Sequence, residues 1–89
     1  MIPYRGMHRR FVSPGEAARL LPTYSGRPWG ERDDKKSEAL AKAMRDGTFD
    51  PERGEGVRVI DGKLCNGRHR LRAVVLVGQP VEIGFTKET

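Results

Sequence analysis

The sequence has little of what would tie it to several common classes of protein. One cysteine, Cys65, in 89 residues rules out an internal disulfide and leaves no cysteine cluster for a metal. Only two histidines occur, His8 and His69, and neither has a second ligand at zinc-type spacing. No apolar run approaches the roughly 18 residues that a membrane span requires, and no signal-peptide pattern opens the chain. A reducing, cytoplasmic location with no membrane partner is therefore expected. Aromatic residues make up 7% and hydrophobic residues 36% of the chain, so one modest core must serve a single domain.

Charge takes the place of apolar bulk. Charged residues are 33% of the sequence, and the formal net charge is +5, carried mostly by arginine. The planar guanidinium fork matches phosphate oxygens. The balance therefore admits phosphate or nucleic-acid partners, beside the plainer alternative of a solvated basic surface.

Residues 1–10 read as a basic N-terminal arm, either flexible or an edge strand, with Arg5, Arg9 and Arg10. The domain proper is expected over 11–86. Ser13-Pro14-Gly15-Glu16 starts a helix that ends near Leu21: serine caps, proline fits the first turn, and glutamate three residues on completes a capping box. Residues 22–32, PTYSGRPWGER, read as a loop. Asp33–Asp46 is a second helix, acidic at its start and closed by Gly47. Val57–Ile60, the Asp61-Gly62 turn and Lys63–Cys65 form a hairpin. A third helix is expected from about Gly67 to Val77, with Leu71, Val74 and Val75 on its apolar side, and Pro80–Phe85 is a final strand. The expected fold class is α+β, a small mixed sheet with three short helices.

The chemistry concentrates in Asp61–Ala73, DGKLCNGRHRLRA. A strand runs into Gly67 and three basic residues that open an apolar helix. Backbone N–H groups, the positive end of the helix dipole and cationic side chains meet there, a setting suited to a phosphate. Gly67 lacks the Cβ that would block an approaching anion, and Arg70 offers a two-pronged grip on phosphate oxygens. His69 changes charge near neutral pH, and serves either a ligand or a hydrogen bond to the adjoining strand. Arg72 is expected on the solvent face of the helix, Cys65 in the core, and Asn66 as a cap. In the 22–32 loop, Trp29 and Tyr24 offer faces for a base beside Arg27 and Arg32; alternatively Trp29 closes the core. Glu31, Asp33 and Asp34 have the chemistry to hold magnesium, but acidic residues at a helix start stabilise its dipole without a metal.

The string Asn66-Gly67-Arg68-His69-Arg70-Leu71 resembles the glycine-x-basic-arginine box of the ParB/sulfiredoxin superfamily, in the variant carried by small phage and plasmid members. Leu40–Gly47 resembles the helix before the hairpin in that variant, Asp61–Leu64 its turn and strand, and Val77–Val81 its exit into the next strand. The resemblance spans roughly residues 11–86. It implies a ParB/sulfiredoxin-like fold in which Gly67, Arg68, His69 and Arg70 surround the phosphates of a nucleotide, a nucleoside triphosphate (CTP or ATP) with Mg2+. By the same resemblance the loop residues Arg27, Trp29 and Arg32 form a lid or a base-stacking surface. Sulfiredoxin has its catalytic cysteine where this chain has Arg68, so sulfinic-acid reduction is not expected. ParB has glutamate at that position, which sets the chain apart from nucleotide hydrolysis of the ParB kind. The helix-turn-helix and dimerisation segments of full ParB have no counterpart here, so chromosome segregation in the ParB manner is not expected either.

Three functions follow as expectations. The first is a small ParB-like phage or mobile-element regulator that binds nucleotide or nucleic-acid phosphates through Gly67–Arg70, with no catalytic residue and no resident metal. The second is a phosphoryl-transfer enzyme or nuclease of the same fold, drawing on Glu31, Asp33, Asp34 or Asp61. The third is a phage effector that binds and inhibits a host protein.

Overall fold

A computed structural model describes residues 7–53 and 56–86. In chain order these form strand β1 (Met7–Val12), helix α1 (Pro14–Leu20), a 3-10 turn (Leu21–Thr23), helix α2 (Glu31–Asp46), strands β2 (Arg58–Ile60) and β3 (Lys63–Asn66), helix α3 (Arg68–Val77) and strand β4 (Val81–Thr86). The fold is α+β, as expected.

The strands do not form one continuous mixed sheet. β1 pairs antiparallel with β4, setting His8 opposite Phe85 and Val12 opposite Val81. β2 and β3 form a separate antiparallel hairpin, and a parallel bridge between Val57 and Phe85 ties the two pairs together. Asp61 and Gly62 turn the hairpin with φ of 52° and 77°, the left-handed pair that a tight hairpin turn demands.

Residues 7–10, read from sequence as part of a basic arm that is either flexible or an edge strand, belong to β1, a strand paired on one side with β4; residues 1–6 lie outside the described residues. The cause is pairing across the sheet. The His8 ring stacks on Phe85, and the Arg10 guanidinium sits 4.3 Å from the same ring. Arg9 pairs with Glu52 at 3.1 Å and Arg10 with Glu16 at 2.8 Å, so the charges of this segment are answered within the domain. Only half of the expected capping box forms at α1. Ser13 Oγ accepts the Glu16 N–H at 3.1 Å, while the Glu16 carboxylate turns to Arg10.

Val12, Ala17, Val57, Leu64, Leu71, Val74, Ile83 and Phe85 make the core, to which α1 contributes Ala17 and α3 contributes Leu71 and Val74. Leu64 faces this core, so Cys65, its neighbour along the strand, points outward. The cysteine is exposed, contrary to expectation. Helices α2 and α3 run side by side in the same direction. Asp33 meets Arg68 where both begin, and Arg45 donates to the Leu76 carbonyl at 3.0 Å where both end. Two helix N-termini thus lie together, with Asp33 and Arg68 meeting between them.

Candidate functional site

The connection from the 3-10 turn to α2 is pinned first. Thr23 Oγ1 donates to the Leu20 carbonyl at 2.6 Å and accepts the Leu64 N–H at 2.8 Å, fixing the exit of the turn against the hairpin. From there residues 24–30 lie against the start of α3. Arg68 donates to the Arg27 carbonyl at 2.7 Å, and its guanidinium sits 4.5 Å from the Tyr24 ring and 5.1 Å from the Trp29 ring. Arg68 is buried, with its charge between two aromatic rings and a carboxylate.

That carboxylate is Asp33, in the first turn of α2, which has no solvent exposure. Arg27 donates to both of its oxygens, at 2.7 and 2.9 Å. His69 Nε2 lies 2.6 Å from Oδ1, Arg68 Nη2 lies 3.4 Å from Oδ2, and the Gly30 N–H donates to Oδ2 at 2.7 Å. The Arg27 hydrogen bonds, then that of His69, then the Gly30 N–H hold the Asp33 carboxyl far below the usual carboxylate range. A carboxylate with this many donors ties residues 27–30, α2 and α3 together around one atom pair. The sequence offered Asp33 as a dipole partner, a metal ligand or a carboxylate for phosphoryl-transfer chemistry, not as the partner of Arg68 and His69. Its spacing from Gly30 hints at the local cap, but no local signal ties it to Arg68 and His69, which follow 35 and 36 residues later.

The four residues of the box therefore diverge. Gly67 adopts φ 97° and faces Val57: a Cβ there would stand 2.6 Å from Val57 Cγ2 and 2.9 Å from its Cα. Close approach to protein backbone, not to an anion, is what the glycine permits. Arg68 and His69 turn to Asp33. Arg70 donates to the Arg53 carbonyl, and its guanidinium lies 5.9 Å from the Phe49 ring. Burial lowers its pKa from the ordinary arginine value, opposed by the charge of Asp50. The anion gripped by Arg68 and His69 is one the protein supplies itself. Asn66 Oδ1 accepts the N–H of Gly67 at 3.0 Å, and no side chain caps α3.

Beside this cluster opens a cleft of about 520 Å3. Tyr24, Arg27, Trp29, Asp34, Arg68 and Arg72 line it together with the apolar Leu21 and Pro22. Its size falls within the ~300–1,000 Å3 typical of small-ligand sites. Arg72, expected on the open face of α3, borders the cleft half-buried and has no hydrogen bond or ion pair with a described residue. Trp29 is 37% exposed and stands outside the core, with Arg68 and His69 as ring neighbours. Arg27 reaches the cleft, whereas Arg32 stays exposed on α2 away from its lining. Asp33 balances one of the two arginines that bind it, so the cluster carries excess positive charge.

No group of three or more acidic, histidine or cysteine residues is placed to hold a metal ion among the described residues. Among them, too, no helix is long and apolar enough to cross a membrane. Compared with known proteins, the chain matches no family model, no curated protein and no solved structure.

Proposed function

We propose that this protein binds nucleotide or nucleic-acid phosphates, as a small ParB-like phage or mobile-element regulator, and that the ligand sits in the cleft beside the Gly67–Arg70 box. One observation carries the reading: an aromatic and arginine-lined cleft with excess positive charge adjoins the N-termini of two helices. Arg72, which has no ion pair with a described residue, takes a phosphate there, with Arg27 in the same lining, while Trp29 and Tyr24 offer ring surface to a base. Arg68 and His69 hold the wall in place through Asp33.

Calorimetric titration with CTP, ATP and GTP, with and without magnesium, tests this. Saturable binding that weakens about tenfold or more in Arg72→Ala, the effect of losing one charge-assisted contact, supports the cleft. Loss of binding in Arg70→Ala, with Arg72→Ala unchanged, would move the ligand to the box itself. No heat with any nucleotide or with single-stranded DNA or RNA would overturn the reading and leave a host protein as the partner to pursue.

A second reading, phosphoryl transfer, has one observation in its favour. His69 is held by a buried carboxylate at 2.6 Å, the arrangement that orients an imidazole for proton transfer. Magnesium-dependent loss of a triphosphate, abolished in His69→Gln while binding persists, is the result that would establish it.

A further inference from the structure

The one acidic side chain lining the cleft is out of keeping with its surroundings. Asp34 shares the lining with Arg27, Arg68 and Arg72, yet it forms no ion pair with a described residue. Its neighbour Asp33 gathers both Arg27 and Arg68. The Asp34 carboxylate is positioned instead by the indole of Trp29, whose Nε1–H donates to Oδ1 at 2.8 Å. The second oxygen takes no hydrogen bond from a described residue. A carboxylate has room for about four donated hydrogens, so Asp34 retains most of its accepting capacity beside an aromatic ring.

We propose that the cleft selects guanine, with Asp34 as the residue that reads the base. The inference rests on the phosphate-binding reading above and adds the identity of the base. Guanine alone among the common bases presents two adjacent donors on one edge, N1–H and the 2-amino group, which a carboxylate accepts together. Adenine and cytosine place a ring nitrogen acceptor beside their amino group, and uracil flanks its single N–H with two carbonyls. Each of these sets a lone pair against the carboxylate. Trp29, tied to Asp34 through its indole N–H, offers its exposed surface for stacking next to the same carboxylate, while Arg72 and Arg27, which line the same cleft, supply positive charge for the phosphate.

The guanine unit can come from a free nucleotide or from a nucleic-acid strand, and the test carries both. GMP, IMP, AMP, CMP and UMP are titrated by calorimetry against the wild type and Asp34→Asn, together with single-stranded pentanucleotides holding one central G, I, A, C or U. The expected result is a preference for guanine of about tenfold to a hundredfold, the ratio supplied by one two-pronged base contact. Inosine, which keeps N1–H but lacks the 2-amino group, should bind more weakly than guanine and fall between it and the other bases. Asp34→Asn should lose the guanine advantage and gain affinity for adenine, whose edge an amide matches. The asparagine still accepts from Trp29, and unchanged tryptophan emission confirms that the indole has not moved. Should the variant fail to fold, the guanine-to-inosine ratio of the wild type decides alone.

Equal affinity for all bases would overturn guanine selection and leave phosphate binding standing. A guanine preference that survives in Asp34→Asn would overturn Asp34 as its reader. Binding of neither mononucleotides nor strands would overturn both readings.

Discussion

Gly67→Ala separates two accounts of the residue at the head of α3. If the glycine exists to let an anion approach, alanine should leave the fold intact and remove binding. The geometry gives a different result. At φ 97° an L-residue carries a conformational cost of about 1–2 kcal/mol. The added Cβ would also stand 2.6 Å from Val57 Cγ2 and 2.9 Å from its Cα, and the contact with the backbone atom cannot be relieved by a rotamer change. Overpacking of this kind costs about 1–3 kcal/mol. Loss of glycine freedom in the unfolded chain returns about 0.4–1 kcal/mol, so the net destabilisation is about 2–4 kcal/mol. In a domain of this size that lowers the melting temperature by about 10–25 °C. Gly78→Ala is the internal control: its φ is 78°, yet no atom lies within 4 Å of the added Cβ. It should carry the conformational cost alone, about 4–8 °C. Thermal melts followed by circular dichroism compare the two, and the difference measures the Val57 contact. Equal melting temperatures for the two variants would refute the packing argument. A stable Gly67→Ala that no longer binds nucleotide would restore the anion.

The remaining predictions concern charge and exposure. Asp33 titrates below its ordinary value of 3.8 in the folded state, so the unfolded chain binds the proton first as pH falls. Its stabilisation is therefore complete above the ordinary carboxylate range and declines below about pH 4. Melts between pH 2 and pH 7 (about five pH units) should show that decline, and Asp33→Asn should melt lower at neutral pH with a flatter acid limb; an unchanged limb would remove Asp33 as the organising charge. Glu16, also lowered by its Arg10 partner, contributes to the same window, and Glu16→Gln measures its share. Arg70→Ala should raise amide exchange in residues 49–53, which Arg70 anchors at the Arg53 carbonyl and the Phe49 ring, with protection of α2 unchanged. The exposed Cys65 thiol should react with a maleimide in the native state as fast as in urea; protection on folding would place it back in the core.

The local chemistry of the chain was legible without coordinates. Ser13-Pro14 starts α1, Gly47 ends α2, Asp61-Gly62 turns the hairpin and Gly78 ends α3, because caps and tight turns depend on residues a few positions apart. The apolar spacing of Leu71 and Val74 likewise marked the buried side of α3. Pairing between distant segments was not legible. The sequence left residues 7–10 open between a flexible arm and an edge strand, and nothing in them named β4 as the partner, because Phe85, Glu52 and Glu16 come beside His8, Arg9 and Arg10 only on folding.

The same division runs through the site. The sequence alone determined that cations cluster behind Gly67 and that aromatics and arginines share the 22–32 loop. Only the tertiary structure decided where those cations point. Folding brings α2 alongside α3, so that Asp33 is buried against the start of both, and a buried carboxylate must recruit the nearest positive charges to offset its desolvation. Arg68, His69 and Arg27 therefore pair with Asp33, while Arg72 and Asp34, which line the same cleft as Arg27 and Arg68, have no ion pair with a described residue.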